Sequence, residues 1–181
     1  KLKDWKRVDR AIQVMPQVIK RVPDTFLVIV GDGREKENLK QLAQRLKVDH
    51  RVIFVGAVPH DETKYFLNGC DLFLSLYDYS NLCNPLQEAL ECGKCIISID
   101  DGSTKELLRN GYNAELISKE ALPQELPEKI VTLLLNDERR HQLARNACRS
   151  AQEHLLPWKD RMALEVKEVD KVLLAKKEPR E

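Results

Sequence analysis

The sequence predicts an α/β domain with a parallel sheet, a Rossmann-like three-layer α/β/α arrangement. Three observations carry that expectation. Short runs of consecutive apolar residues alternate along the chain with amphipathic helical segments. Several of those runs stop at a glycine or a polar turn, as strands buried on both faces do. The length of 181 residues, with 43% hydrophobic and 33% charged residues, suits one such domain with short additions and argues against disorder.

Each element can be justified in order. Val8, Ile12, Met15 and Ile19 recur at helical spacing, so residues 7–22 read as a helix that Pro16 should kink or split. Phe26-Leu27-Val28-Ile29-Val30 is a strand closed by Gly31. Leu39, Leu42, Ala43 and Leu46 form a helical stripe, with Glu35 and Glu37 at its favourable N-terminal end. Val52-Ile53-Phe54-Val55 is a second strand, residues 62–69 a helix, and Asp71-Leu72-Phe73-Leu74-Ser75-Leu76 a third strand. Residues 77–84 are a polar loop, and Pro85 suits the first turn of a helix that Gly93 stops. Cys95 to Ile99 is a fourth strand, and Ser103 or Thr104 is positioned to cap a short helix. Asn113 to Ile117 is a fifth strand, and the rest is helical, with stripes around Leu126 to Leu134, residues 138–153, and Trp158 to Leu173.

A doubly wound domain normally opens with a strand, whereas this chain opens on about five non-helical residues and a helix. The expectation is a truncated opening strand and a piece of a longer protein. Residues 1–157 would form the domain, and 158–181 a C-terminal helix with a frayed, charged tail.

Lys and Arg total 30 against 29 Asp and Glu, so no strong field favours nucleic acid. No stretch reaches the roughly 20 apolar residues of a membrane span, and Lys1-Leu2-Lys3-Asp4-Trp5 does not resemble a signal peptide. Five cysteines, an odd number without an export signal, point to a reducing, cytoplasmic setting. Cys92-Gly93-Lys94-Cys95 has redox or zinc spacing, but Cys95 opens an apolar run, and no second pair supplies the remaining ligands. Small buried side chains are the better reading.

In a parallel α/β sheet ligands bind at the carboxyl ends of strands, which directs attention to the loops after Val30, Leu76 and Ile99. Gly31-Asp32-Gly33 follows a strand and precedes a helix, where glycines allow a phosphate to approach, although a tight turn explains them equally well. Glu88 lies one turn into the helix that starts near Pro85. A carboxylate there can accept hydrogen bonds from the vicinal hydroxyls of a ribose, or can be an ordinary surface glutamate. Backbone amides at Cys83, Asn84 and Leu86 are placed to face an anion, with the helix dipole adding attraction. Lys6 and Arg7 can neutralise a diphosphate. His50, His60, His141 and His154 are scattered and receive no catalytic role. No metal site is expected.

The order of these pieces resembles the C-terminal, donor-binding domain of the retaining family 4 glycosyltransferases, the glycosyl transferases group 1. The matching stretches are Trp5-Lys6-Arg7-Val8-Asp9, the run from Pro23 to Gly33, Val52 to Gly56, Asp71 to Leu76, Glu88 to Lys94, and Asp101 to Glu106. The resemblance implies a GT-B architecture of two Rossmann-like domains with the active site between them, of which this chain would be the second. It carries the lysine that contacts the donor diphosphate onto Lys6, and its partner arginine onto Lys1. The ribose glutamate falls on Glu88. The other glutamate of the family's paired motif falls on Ser80, and the Gly-Phe-Gly that follows it is here Asn81-Leu82-Cys83. Ser80 and Asn81 are the residues expected beside the donor sugar. The phosphate role falls on the amides of Asn84 and Leu86, and Gly31, Gly33 and Val55 line the nucleotide side.

The activity so implied is transfer of a hexose, with retention, from a UDP- or GDP-sugar to a glycan or lipid-linked acceptor. Lys6 and the helix dipole would offset charge on the leaving diphosphate, Ser80 would stand at the sugar, and no cofactor or essential metal would be needed. The implied partners are the N-terminal GT-B domain and, through it, peripheral association with the cytoplasmic face of a membrane. A serine supplies no carboxylate charge, so a non-catalytic nucleotide-sugar-binding or scaffolding domain is the alternative. A GT-B nucleotide-sugar epimerase and a flavodoxin-like domain are more distant ones.

Overall fold

The computed structural model of the chain describes residues 1–79 and 82–175. The predicted order of elements is the order observed. Helix α1 is Val8–Arg21, β1 Leu27–Val30, α2 Lys36–Arg45, β2 Val52–Gly56, α3 Thr63–Gly69 and β3 Leu72–Ser75. Then come α4 Asn84–Glu91, β4 Cys95–Ile99, β5 Glu115–Ile117, α5 Leu122–Leu135, α6 Asp137–His154 and α7 Trp158–Ala175. The tail expected to fray lies, beyond Ala175, outside the described residues.

All strand pairs are parallel, but they form two sheets, β1–β2 and β3–β4–β5. Among the described residues β1 and β3 each keep one edge without a hydrogen-bonded strand. Helix α1 joins the two parts. Its Ala11, Val14 and Val18 pack with β4, β5 and α5, while Ile12 and Met15 pack with Ile29, Val52 and α2. Two adjacent helical stripes thus serve two sheets. Pro16 does not split α1, although it removes one ladder hydrogen bond; burial of both flanking stripes holds the helix together.

The central strand β4 is buried at every position, as its apolar run predicts. Helices α1 and α5 cover one face with Ile97 and Ile99, and α4 and α6 cover the other with Ile96. Strand β1 departs from expectation. Val28 and its register partner Ile53 are 46% and 47% exposed, so β1–β2 is buried on one face only. No helix of the described residues covers the outer face.

Local chemistry explains the boundaries. Helix α4 ends at Gly93 in a left-handed conformation (φ +59°), with Lys94 N–H donating to Ala89 O at 2.9 Å and Gly93 N–H to Leu90 O at 3.0 Å. This paired arrangement satisfies the last carbonyls. Near residue 103 the cap differs from expectation. Asp101 Oδ1 accepts from Thr104 N–H at 3.1 Å and from Ser103 Oγ at 2.8 Å, so the aspartate, with its stronger acceptor, takes the role assigned to Ser103 or Thr104. Strand β5 begins at Glu115 rather than Asn113, because the Asn113 side chain is drawn into a buried hydrogen-bond cluster with Leu107, Arg109 and Ser150.

The five cysteines are free thiols. Burial pushes the Cys95 thiol up to about 12 and raises that of Cys92, the opposite of a reactive thiolate pair.

Candidate functional site

The site grows from the carboxyl ends of the strands. Before α1, residues Asp4–Lys6 make a single 3₁₀ turn. Arg7 then adopts a left-handed conformation (φ +46°), which turns the chain into α1 and leaves Lys6 at the corner. The Lys6 ammonium lies 5.0 Å from the centre of the Tyr77 ring and 5.5 Å from that of Trp5. Those two rings meet edge to face at 5.9 Å. Both distances are within cation–π range, so the ammonium is held by aromatic faces.

Tyr77 follows β3. Its ring touches Lys6, while its hydroxyl is pushed up by burial, by charge and hydrogen bonding with Cys83, and by the charge of Glu88. Glu88 lies in the second turn of α4, partly exposed, beside a hollow of about 230 Å³ lined by His60, Thr63, Leu67, Glu91 and Cys92 among others. His60 Nδ1 is 3.9 Å from Glu88 Oε1. Lys6 and Tyr77 therefore meet at one end of β3, while Glu88 faces His60 across the hollow beside α4.

Gly31, Gly33 and Val55 form a second group, at the ends of β1 and β2. Gly31 N–H donates to Gly56 O at 2.7 Å. Gly33 N–H donates to Asp32 Oδ1 at 2.8 Å, and Asp32 also pairs with Lys36 at 2.7 Å. The amides of both glycines are thus engaged within the protein. Lys1 lies nearby, its backbone nitrogen 4.0 Å from where a Cβ on Gly31 would sit.

At the start of α4 the expectations divide. Asn84 is exposed and heads the helix. The Leu86 amide is not free, since it donates to Cys83 O at 3.0 Å, and its side chain is fully buried. That first-turn N–H already closes back onto the cap carbonyl, and the Leu86 side chain is a core residue that anchors the helix. Ser80 and Asn81 lie outside the described residues. Sequence reasoning gave no role to Tyr77, Asp78 or His60. The Tyr-Asp-Tyr run at the end of an apolar strand was the available signal for the first two.

A larger hollow of about 590 Å³ opens beside Trp5 and Tyr79, lined also by Asp4, Arg7, Glu35 and Asp78. Among the described residues no three acidic, imidazole or thiol groups gather in a way that could hold a metal ion. Among them also, no helix is long and apolar enough to cross a membrane.

The family model described as glycosyl transferases group 1 matches residues 1–150. The chain belongs to that family. An uncharacterized glycosyltransferase of Methanocaldococcus jannaschii is 28% identical over 161 residues, covering 88% of this chain and 40% of that protein. A GDP-mannose-dependent phosphatidylinositol monomannoside mannosyltransferase of Mycolicibacterium smegmatis is 28% identical over 116 residues, covering 60% of this chain and 30% of that protein. Among solved structures, Anabaena HepE in complex with UDP and glucose superimposes with a TM-score of 0.80 at 23% identity, over 97% of this chain and 46% of that one. The group 1 chain therefore spans less than half the length of each of these proteins. Its Rossmann-like α/β/α architecture is that of the C-terminal domain of GT-B glycosyltransferases.

Proposed function

We propose that this chain is the donor-binding half of a retaining glycosyltransferase that moves a hexose from a UDP- or GDP-sugar to a glycan or lipid-linked acceptor. The observation that carries the reading is the Lys6 ammonium seated over the Tyr77 ring at the carboxyl end of β3, with the partly exposed Glu88 on the helix that follows that loop. A cation and a carboxylate on the elements that flank one loop suit a nucleoside diphosphate. The carboxylate accepts the ribose hydroxyls, and the ammonium meets the diphosphate oxygens. Membership of the family and relatives named for nucleotide sugars support it.

In the reaction, charge develops on the diphosphate as its bond to the sugar breaks. Lys6, already oriented by two rings, would offset that charge without reorganising. The N-terminus of α4 adds a positive dipole end. Ser80 and Asn81 would face the sugar, and no metal cofactor is required. The acceptor would be held by an N-terminal GT-B domain. Helix α7 exposes Met162, Val166, Val169 and Leu173 along one stripe, suited to rest on that domain.

The test is isothermal titration with UDP, GDP and their hexose conjugates, on wild type and Glu88→Ala. Saturable binding to one nucleotide, weakened by the substitution, is expected. Equal affinity of the two proteins would remove Glu88 from the site. Ser80, which supplies no carboxylate charge, favours a second reading, a domain that binds nucleotide sugar without transferring it. Sugar transfer by the full-length protein would exclude that.

A further inference from the structure

We propose that Asp78 is a positioning residue that fixes the Lys6 ammonium relative to the loop behind β3; the inference rests on the nucleotide-sugar reading above. Asp78 is one residue past Tyr77, and every polar part of it is engaged. Its N–H donates to Trp5 O at 2.9 Å, which pins the peptide immediately before Lys6. Its carboxylate accepts from Arg10 Nη2 at 2.6 Å and from Arg7 Nη1 at 3.2 and 3.3 Å. Its own carbonyl accepts from Lys119 Nζ at 2.8 Å. Arg10 also reaches Leu76 O at 2.7 Å, closing the link back to the end of β3.

These bonds join the 3₁₀ turn that carries Lys6, the first turn of α1, the end of β3 and the segment after β5. The left-handed backbone at Arg7 shows why such a clamp is needed. An arginine costs free energy in that conformation, and its guanidinium is secured by Asp9 at 3.0 Å as well as by Asp78. Burial opposes the charge of Asp78, but the hydrogen bonds and charges of Arg7 and Arg10 outweigh it and hold the carboxyl below its usual range. The clamp is therefore ionised at neutral pH. Loss of the charge would free the turn, and Lys6 would leave the Trp5 and Tyr77 faces.

The experiment is a double-mutant cycle read by titration of the full-length protein with UDP and with GDP. The proteins are wild type, Asp78→Asn, Lys6→Ala and the double variant. If Asp78 acts through Lys6, Asp78→Asn weakens nucleotide binding by about tenfold on its own and adds almost nothing in the Lys6→Ala background. A merely structural loss would persist in that background, and this result, or unchanged binding by Asp78→Asn, overturns the proposal. Should Asp78→Asn fail to fold, Arg7→Gly replaces it in the cycle, since glycine accepts the left-handed backbone while the clamp loses one guanidinium. It should weaken binding several-fold, again only when Lys6 is present. Unchanged binding by Arg7→Gly would also overturn the proposal. Wild-type protein that binds neither nucleotide would instead refute the nucleotide-sugar reading, and the inference with it.

Discussion

The backbone of Leu2 occupies the space that a side chain on Gly33 would need. A Cβ built there would lie 2.2 Å from the Leu2 carbonyl oxygen and 2.6 Å from its nitrogen. Leu2 is itself buried, and its N–H donates to Asp32 O at 2.8 Å, so the contact cannot yield by a side-chain rotation. Gly33→Ala should therefore destabilise the protein by about 1–3 kcal/mol, as overpacking does. Gly69, at the end of α3, has open space around its Cβ position, and Gly69→Ala should be neutral or stabilising by up to about 1 kcal/mol. Denaturant melts of the two variants give the comparison. Equal effects would show that Leu2 moves aside freely.

Arg7 offers a second backbone test. With φ at +46° its strain is relieved by glycine but not by alanine, while both lose the bonds to Asp9 and Asp78. Arg7→Gly should be more stable than Arg7→Ala by about 1 kcal/mol, the reverse of the usual helix order. Thermal melts of both variants decide it.

Asn113 is buried and uses its side chain three times. It accepts from Arg109 N–H at 2.7 Å and donates to Leu107 O at 2.9 Å and Ser150 Oγ at 2.8 Å. Asn113→Ala leaves those partners unsatisfied in the interior and should cost about 2–4 kcal/mol. A loss under 1 kcal/mol in urea unfolding would mean that water replaces the amide.

Glu115 on β5 predicts a pH dependence. Burial works against its ionisation, but hydrogen bonds from Lys129 at 2.9 Å and Arg139 at 3.0 Å prevail and hold its carboxyl below the usual range. A folded-state value below the unfolded one stabilises the protein above the unfolded value, and that contribution fades as pH falls through the folded one. Glu115→Gln should thus cost about 1–2 kcal/mol at pH 7. The gap between the two proteins should close below about pH 4. A gap independent of pH would show that the charge is not what matters.

Much of the fold was legible because its signals are local. The run Cys95 to Ile99 reads as a doubly buried strand and is one. Gly93 reads as a helix stop and closes α4. The split of the sheet was not legible, since strand edges depend on neighbours distant in sequence. Nor was the open face at Val28 and Ile53, because an apolar run looks the same whether one face or two are covered. At the site, Lys6 and Glu88 could be singled out by residue type and position, but the seating of Lys6 over the Tyr77 ring could not. The Leu86 amide did not stay free, and composition could not show that. His60 against Glu88 and Asp78 against Arg7 are contacts across 28 and 71 residues of chain, for which no local pattern exists.

The wedge position of α1 has a consequence for how the molecule opens. Because α1 seats Ile12 and Met15 against β1, β2 and α2 and Val18 against β4, β5 and α5, one helix ties a smaller unit, open on one face, to a larger one. The smaller unit, with Val28 and Ile53 exposed, should be the less protected of the two. Amide hydrogen exchange should find the β4 amides exchanging only with global unfolding, and those of β1 and β2 exchanging earlier and together. Lys6 sits on the seam between the units. A bound nucleotide that touches both sides of it would slow exchange in the smaller unit most.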